Sequence, residues 1–256
     1  MKSGLFPITL AEQVLVLFLC CLINGVAWAT EPSLSETPAD KTQAAPSLRT
    51  FEALYKTSAL GMTLDLKRSL TQEGDTYTLS SRGSNMLINM NESADFRIVD
   101  GAIEGIRFDS RVKSLKTNKR AVRFNQPAGV IDSMKHGDWT QHPWEPGVLD
   151  RFSQQQQLRL TLIGEDEPPE TLEFRVVDGT KVSDKRWLRL PDEVIDTPLG
   201  QINAVKYRAV HTNPDKRASE IWLAPELDYL MVKTLHVERS STVKVTIKSL
   251  DWLDGA

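Results

Sequence analysis

The chain has 256 residues, 40% hydrophobic and 25% charged, with 31 basic against 34 acidic side chains. These figures exclude collagen-like chains and disordered acidic tails, and a net charge of −3 gives no reason to expect DNA, RNA or anionic lipid as a partner. What remains is an ordinary globular protein, long enough to bury a core without disulfides or a structural metal.

Residues 1–29 carry Lys2, an apolar run from Val14 to Ile23, and the small-x-small ending Ala27-Trp28-Ala29. This pattern predicts a secretory signal peptide cleaved after Ala29. Ten apolar residues in a helix span about 15 Å, half of a bilayer's hydrocarbon core, so no transmembrane anchor is expected after processing. An uncleaved anchor is the competing reading. Both cysteines, Cys20 and Cys21, fall in the apolar run, so the processed chain would hold no thiol. Lipidation would require a small residue ahead of the cysteine, and Leu19 stands there. Residues 30–47 contain three prolines and no aromatic residue, the composition of a flexible leader. Residues 48–256 then form a single β-rich domain with no internal linker.

Within that domain the apolar residues recur with period two. Met62, Leu64 and Leu66, then Tyr77 and Leu79, flank the turn Glu73-Gly74-Asp75 and predict a hairpin. The alternation continues through Met86, Ile88 and Met90. It returns around Phe96–Val99, where Asp100-Gly101 turns into a strand from Ala102 to Phe108. After the turn Pro143-Trp144-Glu145-Pro146-Gly147, the run VLDRFSQQQQLRLTLI sets Leu149, Phe152, Leu160 and Ile163 along one side of a helix. We expect a helix from about Gly147 to Leu158 or beyond, although Leu158, Leu160 and Leu162 also suit a strand, and the pattern of 158–163 does not decide. Further on, Leu172, Phe174 and Val176 precede the turn Asp178-Gly179 and Val182 follows it. Val205, Tyr207 and Ala209, and later Val243, Val245 and Ile247, complete the strands. The expected fold is mainly β: a curved antiparallel sheet or open half-barrel with one central helix, with a β-sandwich as the alternative.

Thr197-Pro198-Leu199-Gly200, Val205-Lys206-Tyr207-Arg208 and Ile221-Trp222-Leu223-Ala224-Pro225-Glu226-Leu227-Asp228-Tyr229-Leu230 stand in order, with Leu149-Asp150-Arg151-Phe152-Ser153 and Gln157-Leu158-Arg159 upstream. Together they resemble an exported bacterial domain of unknown function of the DUF3108 type. Met231 stands where that family typically has proline. The resemblance implies a periplasmic β-rich protein, similar in shape to the open half-barrels of periplasmic lipoprotein carriers, and it carries over no catalytic residue. Read as local chemistry, these blocks are architectural: Pro198 and Gly200 build a turn, and Pro225 ends a ladder.

Motifs for chemistry are weak. His136, Asp138 and His142 could suggest zinc, but a six-residue spacing does not put both imidazoles on one helical face, and no metal is expected. Ser110-Arg-Val-Lys113 matches the S-x-x-K spacing and Ser183-Asp184-Lys185 echoes a second element of that set, yet the K-T-G element is missing. No phosphate loop, dinucleotide fingerprint, G-x-S-x-G or H-E-x-x-H occurs, and Asp166 and Glu167 sit in a polar loop. No cofactor and no catalytic residue follow.

A binding module fits better. Five of the six tryptophans lie beyond the signal segment, and a curved sheet around a helix leaves an apolar mouth. The candidate ligand-binding residues are Arg151, Phe152, Trp139, Trp144 and Trp222, with Arg151 expected to ion-pair with Asp150, Glu145 or a sheet carboxylate. The expected function is a periplasmic non-enzymatic protein that takes a lipid, acyl chain, hydrophobic peptide or envelope protein, with a role in envelope biogenesis. The alternatives are an envelope hydrolase with an unrecognised site and an assembly factor acting through a sheet edge.

Overall fold

The structure, a computed structural model, describes residues 47–59, 62–239 and 241–253. The expected signal peptide, its cleavage site at Ala29, both cysteines and the leader up to residue 46 lie outside the described residues. Fifteen strands and one α-helix make up the regular structure there. They are β1 (Phe51–Ala59), β2 (Met62–Glu73), β3 (Thr76–Ser84), β4 (Asn89–Val99), β5 (Ala102–Lys113), β6 (Thr117–Asn125), β7 (Val130–Lys135), β8 (Asp138–Pro143) and β9 (Val148–Asp150). The helix α1 (Gln154–Gly164) follows, then β10 (Thr171–Asp178), β11 (Lys181–Thr197), β12 (Gly200–Ala209), β13 (Arg217–Ala224), β14 (Leu230–Glu238) and β15 (Ser241–Trp252).

All fifteen strands belong to one sheet, running from β8 back to β1, across to β15, and back again to β9. Every ladder is antiparallel except β9 on β10. The hairpins follow from local chemistry. Asp100 and Gly101 both adopt positive φ between β4 and β5, the conformation that a two-residue hairpin turn demands.

The chain passes from β8, one edge of the sheet, to β9, the other edge, in only the four residues 144–147. The two edges are therefore neighbours. No ladder joins them, so the sheet is curved but not closed into a barrel. Side chains bridge the seam instead. Arg120 on β6 forms a buried ion pair with Asp178 at the end of β10, and Ser133 on β7 donates to the Gly179 carbonyl.

Period two sorts the side chains. On β2, Leu64, Leu66, Arg68 and Leu70 are buried while Thr63, Asp65 and Lys67 are exposed. On β4, Met90, Glu92, Ala94 and Phe96 are buried in the same way. The sheet wraps α1, whose Leu158, Leu160 and Leu162 are all buried although they do not share one helical face.

Two details differ from the sequence expectation, the start of the helix and the place of Met86, and the open choice between helix and strand for 158–163 is decided. The helix begins at Gln154, because Val148–Asp150 pairs with β10 as a strand and the buried Asp150 then turns the chain. Asp150 Oδ1 accepts from the backbone N–H groups of Phe152, at 2.7 Å, and Ser153, at 2.9 Å. Residues 158–163 are helical: their alternation satisfies a helix enclosed on several sides. Met86 precedes β4 and is fully exposed, because Asn85 ties the loop by accepting from the N–H groups of Leu87 and Ile88.

Candidate functional site

Polar contacts hold α1 inside the sheet. Arg68 Nη1 donates to Gln155 Oε1 at 2.8 Å, the Ile103 N–H donates to Gln157 Oε1 at 2.7 Å, and Arg159 Nε donates to the Asp228 carbonyl at 2.7 Å. The last contact gives the WLAP-x-LDYL block its local reason. Pro225 opens a 3-10 turn (Pro225–Leu227), and Asp228 leaves it at φ +50, which presents its carbonyl to the helix.

Between α1 and the sheet lies a cleft of about 90 Å³, with apolar walls that include Leu66, Leu158, Ile221, Met231, Leu235 and Val245. Drug-sized pockets run to roughly 300–1,000 Å³, so this cleft is well below that range. Tyr55 closes one side. Its hydroxyl donates to the Met231 carbonyl at 2.8 Å, and burial pushes its pKa up to about 12, so it stays protonated.

Arg151 reaches the cleft from the turn before α1. Its Nη2 lies 2.6 Å from Glu92 Oε1, and Ser110 Oγ donates to the same oxygen at 2.7 Å. The sheet carboxylate, not Asp150 or Glu145, is thus its ion-pair partner. Asp150 is fully buried, and that burial raises its carboxyl pKa while hydrogen bonds from Ser153 and Phe152 oppose the shift.

Phe152 lies beneath this site, its ring 5.1 Å from the Arg68 guanidinium and 6.0 Å from the Phe108 ring. The three tryptophans singled out in the sequence lie elsewhere. Trp139 is 54% exposed on the edge strand β8, and Trp144 packs partly buried against the core in the β8–β9 connection. Trp222 occupies the face of β13 opposite Ser219 and Ile221, where Lys206 and Lys233 cover its ring at 4.6 and 3.9 Å and its Nε1 donates to Glu193.

Two cleft residues escaped the sequence reading. Arg68 is 3% exposed, yet the apolar phase of β2 had marked it: Leu64, Leu66 and Leu70 are buried, and Arg68 falls in the same register. Ser219 gave no signal. Its Oγ, on β13, lies 2.8 Å from His211 Nε2 in the loop after β12 and 2.9 Å from His236 Nδ1 on β14. His136 and His142 do not converge. His136 forms the β7–β8 turn at φ +59, whereas His142 Nε2 sits 2.9 Å from Ser133 Oγ at the seam. Among the described residues no group of three His, Cys, Asp or Glu side chains could hold a metal ion.

A rolled antiparallel sheet around one helix, not closed into a barrel and with a cleft between sheet and helix, defines the fold class. The chain belongs to the family of proteins of unknown function DUF3108, whose model matches residues 53–248. It is similar in fold to a β-barrel-like protein of the DUF1849 family from Brucella abortus, at 11% identity and TM-score 0.52, covering 81% of this chain and 99% of that one. A protein from Bacteroides fragilis described as exported, with a YmcC-like fold, matches at 11% identity and TM-score 0.30, covering 80% and 97%. No curated protein matches the chain. No helix among the described residues is long and apolar enough to cross a membrane.

Proposed function

We propose that this chain is an exported, periplasmic, non-enzymatic binding protein whose cleft takes one alkyl chain of a lipid or acylated partner, with a role in envelope biogenesis. The observation that carries this reading is the cleft itself: α1 does not fill the space inside the sheet, and Leu66, Leu158, Ile221, Met231, Leu235 and Val245 give what is left an apolar wall among polar residues. Met231 is unbranched and adapts its shape, and a Met-lined wall can widen around an incoming chain. The expected signal peptide supplies the export.

Titration with the lipophilic dye N-phenyl-1-naphthylamine tests it. Wild type enhances the dye's fluorescence, Leu158→Trp fills the cleft and removes the response, and Trp222→Phe, altered on the opposite face of the sheet, keeps it. No enhancement with wild type overturns the reading.

A second reading has one observation in its favour, the Ser219 hydroxyl set between two imidazoles. It would make the protein an envelope hydrolase. Burial pushes both His211 and His236 down to about 4, which makes them weak general bases and ranks this reading behind the first. Covalent capture of Ser219 by a fluorophosphonate would reverse that order.

A further inference from the structure

Arg68 is a guanidinium in an apolar wall. It is 3% exposed, and its Nη1 donates to the neutral amide oxygen of Gln155. Among the described residues its Nε and Nη2 have no hydrogen-bond partner, and no carboxylate forms an ion pair with it. Glu92 is the nearby carboxylate: Arg151 and Ser110 both hold its Oε1, its Oε2 has no hydrogen-bond partner, and its charge offsets part of the burial cost of Arg68, while Arg151 shares the same carboxylate. Burying a charge without a counter-ion costs several kcal/mol, and such groups persist where something supplies the missing charge.

Two further polar atoms of the cleft lining fit the same chemistry. Trp187 Nε1 and Gln154 Nε2 line it and also lack partners. Both are donors, as are the two unpartnered nitrogens of Arg68, and Arg and Trp side chains carry no acceptor that could reverse the reading. Glu220 shares the Trp222 face of β13, and its carboxylate is held there by Arg208 at 2.6 Å and Lys206 at 3.1 Å. A cleft of aliphatic walls with surplus donors matches a molecule with an alkyl chain and an acceptor-only head.

We propose that Arg68 is the anion anchor of the cleft, receiving the acid group of a single-chain amphiphile, a carboxylate or a phosphate, while the alkyl chain lies along Leu66, Ile221, Leu235 and Val245. This rests on the alkyl-binding reading above and names its ligand class. A guanidinium pairs with either acid through two parallel N–H donors, and the buried Nε and Nη2 edge of Arg68 is the one without a partner.

The test is titration of the full chain with palmitate, hexadecyl phosphate and hexadecanol, which share an alkyl chain and differ in the head. Wild type is expected to bind at least one acid tenfold or more tightly than the alcohol, and the tighter acid identifies the head group. Arg68→Met is expected to bind all three at the alcohol's affinity, and to melt at a higher temperature than wild type because a buried unpaired charge has gone. Equal affinity of the acids and the alcohol for wild type overturns the anchor and leaves the alkyl cleft standing. Persistence of the acid preference in Arg68→Met overturns it too. Binding of none of the three overturns both readings. Should Arg68→Met not fold, Arg68→Gln and the wild-type ratio of acid to alcohol affinity decide by the same criteria.

Discussion

Arg151 Nη2 lies 2.6 Å from Glu92 Oε1, and this buried pair ties the start of α1 to the middle of β4. Both side chains are almost wholly withdrawn from water, at 6% and 0% exposure. Removing one partner of such a pair strands the other charge. Glu92→Ala is therefore expected to cost about 3–5 kcal/mol, whereas Glu92→Met with Arg151→Met together costs much less. Urea unfolding of the two variants checks this, and equal losses would contradict it.

The two imidazoles beside Ser219 predict an acid-sensitive fold. Burial pushes His211 and His236 down to about 4, with Arg217 adding to both shifts and Glu238 opposing them. In the unfolded chain they titrate near 6.5. Between pH 6.5 and 4 the unfolded chain binds more protons, so stability is full above 6.5 and falls as the pH drops toward 4. The melting temperature should decline over that window, and His211→Gln with His236→Gln should flatten the decline. Parallel curves for wild type and double variant would contradict the assignment.

Gly83 and Gly105 are expected to resist a side chain. A Cβ on Gly83 would meet the Leu66 side chain and come within 2.7 Å of the Asp65 carbonyl oxygen, which is backbone. On Gly105 it would meet the Phe124 ring edge at 2.5 Å, and a side chain can swing away more easily. Overpacking of this kind costs about 1–3 kcal/mol. Gly83→Ala should fall at the upper end and Gly105→Ala below it, read from urea midpoints.

The seam predicts where the fold opens first. Arg120 and Asp178 join strands that no ladder connects. Asp178→Asn should accelerate amide exchange in β7, β8 and β10 while β1, β2 and β15, in the middle of the sheet, keep their protection. Uniform acceleration would mean that the seam is not a separate unit.

Much of this fold was legible in the chain because period two is a local signal. The hairpin at Asp100-Gly101 and the register of Leu64 and Leu66 need no knowledge of distant residues. The start of α1 was not legible. Val148, Leu149 and Asp150 become a strand only because β10, more than twenty residues later, lies beside them. The site divides in the same way. Arg151 and Phe152 could be picked out beside the helix; Arg68 falls in the buried phase of β2, but its charge argued against burial there, and Ser219 meets His236 only through the β13–β14 ladder and His211 only from the loop after β12. Tryptophans misled because ring size says nothing about which face of a strand a residue takes, as Trp222 shows.

The most direct test of the central claim, that the cleft holds an alkyl chain, is native mass spectrometry of the protein purified from its own host, followed by denaturation. The expected species is a complex of one chain with one small amphiphile, released as a single-chain acid on unfolding. A bare protein mass that stays bare after incubation with palmitate, hexadecyl phosphate and hexadecanol would contradict it.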